Sequence, residues 1–330
     1  MTNKRNVFLP LLLCLALLIG LTGCGIGEDP QKTTVALDWT PNTNHTGLYV
    51  ALEKGYFAEE GLDVEIIQPA TGTAEQLVAA GQAQFGVSNQ EAITMARIEG
   101  IPVVSIAAII QHNTSGFASL KEKGIETPKD FEGMRYGGWG SPIEEATIKA
   151  LMEEYDADFD EVEILTTGAV DFFAATERHA DFSWIFYGWD GIAAEIRGIE
   201  LNFIKISDYD PALDYYTPLL MTSEAMIEEQ EETVSAFMRA VTKGYEFSMG
   251  NPLEAADILY LHAPELDQDL IVESQKWLAD EYQAEADIWG YQELSVWQDY
   301  MDWLYDNELV ESRTDMEEAF TTDFLAQDAE

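Results

Sequence analysis

Short apolar segments alternate with amphipathic segments along most of the chain. Thr33–Leu37 has the pattern of a buried strand, and His45–Glu60 has the pattern of a helix that ends at Gly61. The same alternation continues through the apolar run Pro102–Ile110 and on to Leu201–Ile206. Strands that alternate with helices in this way predict a mostly parallel sheet with helices on its faces.

The pattern changes at Thr217, because only one more strand, Leu219–Thr222, is predicted before the chain becomes helical. Aromatic side chains then recur at roughly helical spacing between Trp289 and Tyr305, which favours core packing over a ligand site. We therefore predict an α/β protein of two units with a helical C-terminal part. The predicted C-terminal helices are Ser223–Met249, Pro252–His262, Asp267–Tyr282 and Ser295–Asn307.

The first residues have the pattern of an export signal. Lys4 and Arg5 precede the apolar run Val7–Ile19, and the segment ends in Leu21-Thr22-Gly23-Cys24. The apolar run is shorter than the roughly 20 residues that a membrane span needs. The Leu-Thr-Gly-Cys ending resembles the bacterial lipobox, which implies cleavage before Cys24, diacylglycerol on its sulfur and a membrane anchor. An ordinary signal peptide with a chance cysteine is the alternative.

Cleavage at this point divides the N-terminal part of the chain into a lipoprotein signal peptide, residues 1–23, and a short tether, residues 24–32. The mature chain would keep one cysteine, Cys24, and lipid would occupy it. The fold would then depend on its hydrophobic core without an internal disulfide.

The charge balance is strongly acidic, with 61 acidic and 17 basic side chains and a formal net charge of −44. Nucleic-acid binding is not expected, since phosphate contacts need clustered Lys and Arg. Acidic runs such as Glu228–Glu232 fit two interpretations, a solvated helix face or the acidic surface of an exported protein from an alkaline or salty habitat.

Polar and aromatic residues follow the predicted strand ends, where ligands bind in open α/β sheets. Trp39 offers a flat face and Asp38 a carboxylate, a pair that suits a planar ring with amino groups. This set contains no Lys or Arg, and its carboxylates would repel an anion. The candidate ligand-binding residues are Asp38, Trp39, Asn42, His45, Ser88, Asn89, Gly138, Trp139, Tyr187, Trp189 and Asp190.

These candidates also have structural interpretations. Asp38 is suited to cap the following helix, Trp39 to cover the core, and His45 to lie on a helix face. The glycines of Gly137–Gly140 fit a simple tight turn. The sequence shows no metal-ligand spacing, no nucleophilic cysteine and no Gly-x-Ser-x-Gly or Walker-type loop, so neither catalysis nor a metal is predicted.

The segment from Leu37 to Tyr49, with Asp38-Trp39-Thr40-Pro41-Asn42 followed by His45-Thr46-Gly47, resembles the thiamin-pyrimidine family of type II periplasmic binding proteins. This family also contains the fungal pyrimidine synthases. The resemblance implies two α/β lobes separated by a cleft and joined by a hinge. Lobe one would comprise residues 33–112 plus 212–330, and lobe two residues 113–211.

The resemblance also implies a function. It suggests an extracellular solute-binding lipoprotein of an ABC importer, monomeric and without cofactor, that delivers its ligand to the permease. The ligand would be a thiamin pyrimidine precursor, either N-formyl-4-amino-5-aminomethyl-2-methylpyrimidine or hydroxymethylpyrimidine. In the family the ring is stacked between aromatics of the two lobes, which here points to Trp39 and Tyr187, with polar contacts from Asp38 and Asn42.

Two alternatives stay open, a receptor for another small solute (thiamin, riboflavin or taurine and other sulfonates) and an enzyme. The synthases carry an essential lysine and histidine after the third strand, and the matching positions here are Ser88 and Ala92. They hold a phosphate at the loop that matches Gly137–Gly140, and they carry a cysteine-rich iron site that this sequence lacks. The resemblance to the synthases therefore does not extend to the groups that their activity needs.

Overall fold

The computed structural model describes residues 30–168, 171–178 and 180–325. The signal-peptide prediction, the lipidation site at Cys24 and most of the predicted tether lie outside the described residues. The strands are β1 Gln31–Ala36, β2 Leu62–Ile67, β3 Phe85–Ser88, β4 Val103–Ala108, β5 Ser115–Leu120, β6 Arg135–Gly138, β7 Glu163–Thr166, β8 Phe182–Phe186, β9 Leu201–Lys205 and β10 Leu219–Ser223.

Twelve α-helices are found within the described ranges. They are α1 Thr46–Glu53, α2 Tyr56–Glu59, α3 Ala74–Ala79, α4 Gln90–Ile98, α5 Pro142–Glu153, α6 Phe172–Glu177, α7 Ile192–Ile196, α8 Glu224–Glu229, α9 Glu231–Gly250, α10 Pro252–His262, α11 Gln268–Glu281 and α12 Leu294–Asp306. Of the helices in this part of the chain, none is long and apolar enough to cross a membrane.

The strands form two five-stranded sheets, ordered β2-β1-β3-β10-β4 and β7-β6-β8-β5-β9. Each sheet is mixed, since β10 runs antiparallel to β3 and β4, and β5 runs antiparallel to β8 and β9. We refer to the first sheet with its helices as lobe one and to the second as lobe two. The chain passes between them after β4 and again after β9, and the predicted two-lobed α/β fold is confirmed.

The core of lobe one is closed by a tight contact between α1 and α9. Gly47 packs flat against the Tyr245 ring, where an added Cβ would lie 2.4 Å from ring carbons. Gly244 approaches the Gly47 carbonyl so closely that its own Cβ would lie 2.1 Å from that oxygen. Only glycine permits such contacts, so these two glycines set how closely α1 and α9 approach each other.

Two of the predicted helices are interrupted. The stretch His45–Glu60 forms the separate helices α1 and α2, with Gly55 between them at φ 78°. The stretch Ser223–Met249 forms two helices because Gln230 leaves the helical conformation, with φ −138° and ψ 41°. The Gln230 side chain accepts a hydrogen bond of 2.7 Å from Gln31 Nε2 on β1. The break is accompanied by this tertiary contact with β1, and the hydrophobic pattern of the segment alone does not predict it. The predicted core aromatics Trp289, Trp297, Tyr300 and Trp303 are buried, whereas Tyr291 and Tyr305 are exposed.

Candidate functional site

The loop between β1 and α1 holds a carboxylate against a fully buried histidine. His45 Nε2 lies 2.8 Å from Asp38 Oδ1, and the backbone N–H of Asn42 donates to His45 Nδ1 at 3.2 Å. Because Nδ1 accepts a hydrogen bond, the neutral ring carries its proton on Nε2 and donates it to Asp38. His45 therefore orients Asp38 from inside the protein, and Asp38 keeps a partly exposed carboxylate with a second oxygen that His45 does not use.

Asn42 uses its side chain within the same loop. Its Oδ1 accepts from the Asn44 N–H at 2.8 Å, and its Nδ2 donates to the Thr40 carbonyl at 3.0 Å. The side chain is nearly buried and starts the short helical turn that leads into α1. Asn42 thus acts here as a positioning residue, while the neighbouring Trp39 leaves 40% of its surface exposed at the end of β1.

One hydroxyl on α11 connects this loop to the aromatic turn of lobe two. Ser274 Oγ donates a short hydrogen bond to the Gly188 carbonyl and lies 2.6 Å from Thr43 Oγ1. Thr43 is therefore the donor in its pair with Ser274. The Ser274 side chain thus bridges the two predicted parts of the site, residues 38–45 and residues 187–190.

The aromatic turn is packed on several sides. The Tyr187 ring contacts the rings of Phe203 and Trp277, with centroid distances of 5.0 and 5.7 Å, and its hydroxyl donates to Glu195 at 2.5 Å. Burial, together with the Glu195 carboxylate, raises the pKa of Tyr187 to about 12. A pyrimidine sandwiched between Trp39 and Tyr187 stays a prediction, because the ring contacts of Tyr187 in this structure are protein contacts.

Trp189 and Asp190 turn toward protein interiors. Trp189 packs against the core of lobe one, and Asp190 Oδ1 accepts from the N–H of Phe172 at 3.4 Å. Burial raises the pKa of Asp190 to about 6. Both residues are therefore held by structural contacts, and their predicted contact with a ligand remains untested.

Ser88 ends β3 and Asn89 follows it. Since β3 pairs in parallel with β1, both residues lie at the same sheet edge as Asp38. The buried Ser88 hydroxyl donates a short hydrogen bond to Glu75. Asn89 caps α4 by accepting from the Ala92 N–H at 2.8 Å. Their polar groups support the framework next to the Asp38 loop.

Gly138 ends β6, and Trp139 begins the loop between β6 and α5, where the Glu144 carboxylate accepts hydrogen bonds from backbone N–H groups of the loop. Trp139 leaves 43% of its surface exposed and has its ring 5.7 Å from that of Trp184. Since β6 and β8 are parallel neighbours, Trp139 and the Tyr187 turn lie at the same edge of the second sheet.

The structure adds residues that the sequence analysis did not select, namely Phe186, Ser274, Trp277 and Glu144. Phe186 ends β8 and leaves 40% of its surface exposed. Ser141 and Glu144 form a capping box, and the Ser-x-x-Glu spacing before an apolar helix was a usable signal for Glu144. Ser274 and Trp277 had no such signal, because their role depends on where α11 packs.

Comparison with known proteins decides the family. The NMT1/THI5-like family model matches residues 42–255, more than half of the chain. This chain belongs to that family. The prediction of a thiamin-pyrimidine relationship is thereby confirmed.

Two curated relatives and one solved structure place the chain further. It is 32% identical over 303 residues to the formylaminopyrimidine-binding protein of Halalkalibacterium halodurans, covering 89% of this chain and 91% of the relative. It is 25% identical over 254 residues to 4-amino-5-hydroxymethyl-2-methylpyrimidine phosphate synthase of Legionella pneumophila, covering 72% of this chain and 75% of that enzyme. The periplasmic aliphatic sulphonate-binding protein of Escherichia coli superposes with a TM-score of 0.67 at 13% identity, covering 88% and 97% of the two chains, which shows a shared periplasmic-binding-protein fold.

Proposed function

We propose that this protein is an extracellular solute-binding protein of an ABC importer and that its ligand is a thiamin pyrimidine precursor. N-formyl-4-amino-5-aminomethyl-2-methylpyrimidine and hydroxymethylpyrimidine are the two candidate ligands. The observation that carries the proposal is the exposed carboxylate of Asp38, held by the buried His45 next to the exposed indole of Trp39. The similarity to a formylaminopyrimidine-binding protein supports the same ligand class.

The chemistry of the loop fits an aminopyrimidine. The free oxygen of Asp38 would accept a hydrogen bond from the exocyclic amine or from a protonated ring nitrogen, and hydrogen bonds to charged groups contribute about 1.5–3 kcal/mol. The Trp39 indole would stack on the flat ring and add about 0.5–1.5 kcal/mol beyond the burial of apolar area. The contact with the buried His45 restricts the Asp38 carboxylate, which reduces the entropy lost on binding.

The arrangement after β3 supports binding over synthesis. The positions that match the essential lysine and histidine of the synthases are Ser88 and Ala92. The Ser88 hydroxyl is buried against Glu75, and Ala92 has a methyl group that cannot transfer a proton or form a bond to a cofactor. We therefore infer a receptor that releases its ligand unchanged to an ABC permease.

We also propose that Cys24 carries a lipid anchor after removal of residues 1–23, so that the receptor stays at the outer face of the cell membrane. Mass spectrometry of the mature N-terminus tests this proposal. A diacylglyceryl adduct on Cys24 supports it, and a mature chain that begins elsewhere with an unmodified cysteine contradicts it.

A thermal-shift screen tests the ligand class. Formylaminopyrimidine and hydroxymethylpyrimidine are expected to raise the unfolding temperature, because a ligand that binds only the folded state stabilises it. Thiamin, riboflavin and taurine serve as the competing solutes. No shift with either pyrimidine, or a larger shift with one of the competitors, would contradict the proposal.

Trp39→Ala and its control Tyr305→Ala locate the site in the same assay. Both remove aromatic rings of similar exposure, and Tyr305 lies on α12 beside Ile98 and Glu99 at the far end of α4. We expect the pyrimidine shift to be lost in Trp39→Ala and kept in Tyr305→Ala.

A further inference from the structure

Four hydrogen-bond donors converge on one buried carboxylate in lobe two. Glu144 Oε1 accepts from the Tyr136 hydroxyl at 2.5 Å and from the Trp139 N–H at 3.0 Å. Its Oε2 accepts from the N–H groups of Gly140 and Ser141, each at 2.7 Å. Glu144 as a whole is only 1% exposed, so these donors replace solvent almost completely.

The loop between β6 and α5 is shaped around this carboxylate. A Cβ added at Gly138 would lie 2.0 Å from Glu144 Oε1, so no other residue fits there while the carboxylate is in place. Gly140 has a φ of +97°, a conformation that side chains rarely adopt. Pro142 at the first turn and the Ser141 cap then start α5 directly behind the loop.

Three successive N–H groups, from Trp139 to Ser141, together with the start of a twelve-residue helix form an anion cradle by their chemistry. A free phosphate or a phosphate ester would match these donors. In this protein the chain's own carboxylate already occupies them. A second anion at this place would meet the buried negative charge of Glu144.

The cradle lies beside a candidate ligand-contact residue. Its first N–H belongs to Trp139, whose exposed ring is at the same sheet edge as the Tyr187 turn. A substituent on a bound ring that reaches past Trp139 would therefore approach Glu144.

We propose that Glu144 is a specificity-determining residue that fills the anion cradle, so that the protein accepts an uncharged or cationic pyrimidine and rejects its phosphate ester. The identity of the ring rests on the proposed function, whereas the filling of the cradle does not. Removal of the carboxylate should turn the loop into a site for phosphate.

The first test uses inorganic phosphate alone, which needs no pyrimidine site. Glu144→Ala removes the carboxylate and leaves the backbone donors, and Glu145→Ala is the matched control at the next, exposed position of the same helix. We expect phosphate, compared with chloride at equal ionic strength, to raise the unfolding temperature of Glu144→Ala in a saturable way. The wild-type protein and Glu145→Ala should show no such rise. If the Glu144→Ala variant folds but shows no saturable phosphate binding, the proposal that this loop is an anion cradle is overturned.

The second test compares hydroxymethylpyrimidine with its phosphate ester by calorimetry. The wild-type protein should bind the ester more weakly by about tenfold or more, since like charges placed together oppose binding. Glu144→Gln keeps the packing and removes the charge, so it should narrow this gap even if Glu144→Ala does not fold. Equal binding of the two compounds by the wild-type protein would refute the specificity role. If neither compound binds while phosphate still binds Glu144→Ala, the proposed ligand is wrong and the cradle stands.

Discussion

His112 joins the two crossings between the lobes, and replacing it should remove a pH-dependent part of the stability. Its Nδ1 lies 2.7 Å from Asp214 Oδ2, and its Nε2 lies 2.9 Å from both carboxylate oxygens of Glu285. His112 is in the crossing that follows β4, and Asp214 is in the crossing that follows β9. Both ring nitrogens face carboxylates, so the charged imidazolium satisfies all contacts.

The magnitude follows from the shifted titration. The hydrogen bond to Asp214 is the largest cause that raises the pKa of His112 from 6.5 to about 9, and the contact with Glu285 adds to it against the opposing effect of burial. A rise of this size corresponds to roughly 3 kcal/mol before solvent screening. One third of the ring is exposed, so we expect about 1–2 kcal/mol.

The sign of the pH dependence follows from the raised pKa. His112 binds its proton more tightly in the folded state, so its contribution is complete below about pH 6.5 and is lost as the pH rises through about 9. Lys205 and Glu281 also face this cluster. Asp214 and Glu285 have lowered pKa values, so their share of the stability is lost only in acid.

Urea unfolding of the wild-type protein and His112→Gln at pH 6, 7.5 and 10 measures this contribution. The difference in the free energy of unfolding should be about 1–2 kcal/mol at pH 6 and should shrink toward pH 10. His262→Gln is the control, because His262 forms a partly exposed pair with Glu53 away from the crossings. A difference between wild type and His112→Gln that stays constant from pH 6 to pH 10 would refute the reasoning.

Two further predictions concern the β1–α1 loop and the helix contact behind it. His45→Phe keeps an aromatic ring but removes the donor to Asp38, so pyrimidine Kd measured by calorimetry should rise about tenfold; an unchanged Kd would show that Asp38 needs no internal partner. Gly47→Ala should lower the free energy of unfolding in urea by about 1–3 kcal/mol, because its methyl group would overlap the Tyr245 ring. Gly250→Ala, at an open position, is the control, and equal stability of the two variants would contradict the close packing.

The strand-end residues of lobe one were predictable because strand, turn and helix follow one another within a short segment. The sequence placed Asp38 and Trp39 at an exposed sheet edge, where the structure has them. The contacts of Asn42 and Asp190 were not predictable in this way. The Asn42 side chain forms hydrogen bonds within its own loop, and Asp190 accepts a hydrogen bond from Phe172 because of where α6 packs.

Other features had no local signal. Ser274 bridges Thr43 and Gly188 only because α11 packs between segments far apart in the sequence. The Tyr187 ring contacts Phe203 and Trp277, which are distant in sequence, and Tyr187–Gly191 forms a π-helical turn, a rare element that periodicity does not predict. Periodicity specifies which residues follow a strand, but the contacts of their side chains depend on tertiary packing.

Calorimetric titration of formylaminopyrimidine into the wild-type protein, Asp38→Asn and Asp63→Asn tests the proposed receptor and its carboxylate together. Asp63 is an exposed carboxylate on β2 and serves as the control. We predict saturable binding by the wild-type protein and Asp63→Asn, and a Kd at least about tenfold higher for Asp38→Asn, in line with the loss of a hydrogen bond to a charged group. Absence of binding by the wild-type protein, or equal Kd values for all three proteins, would contradict the account.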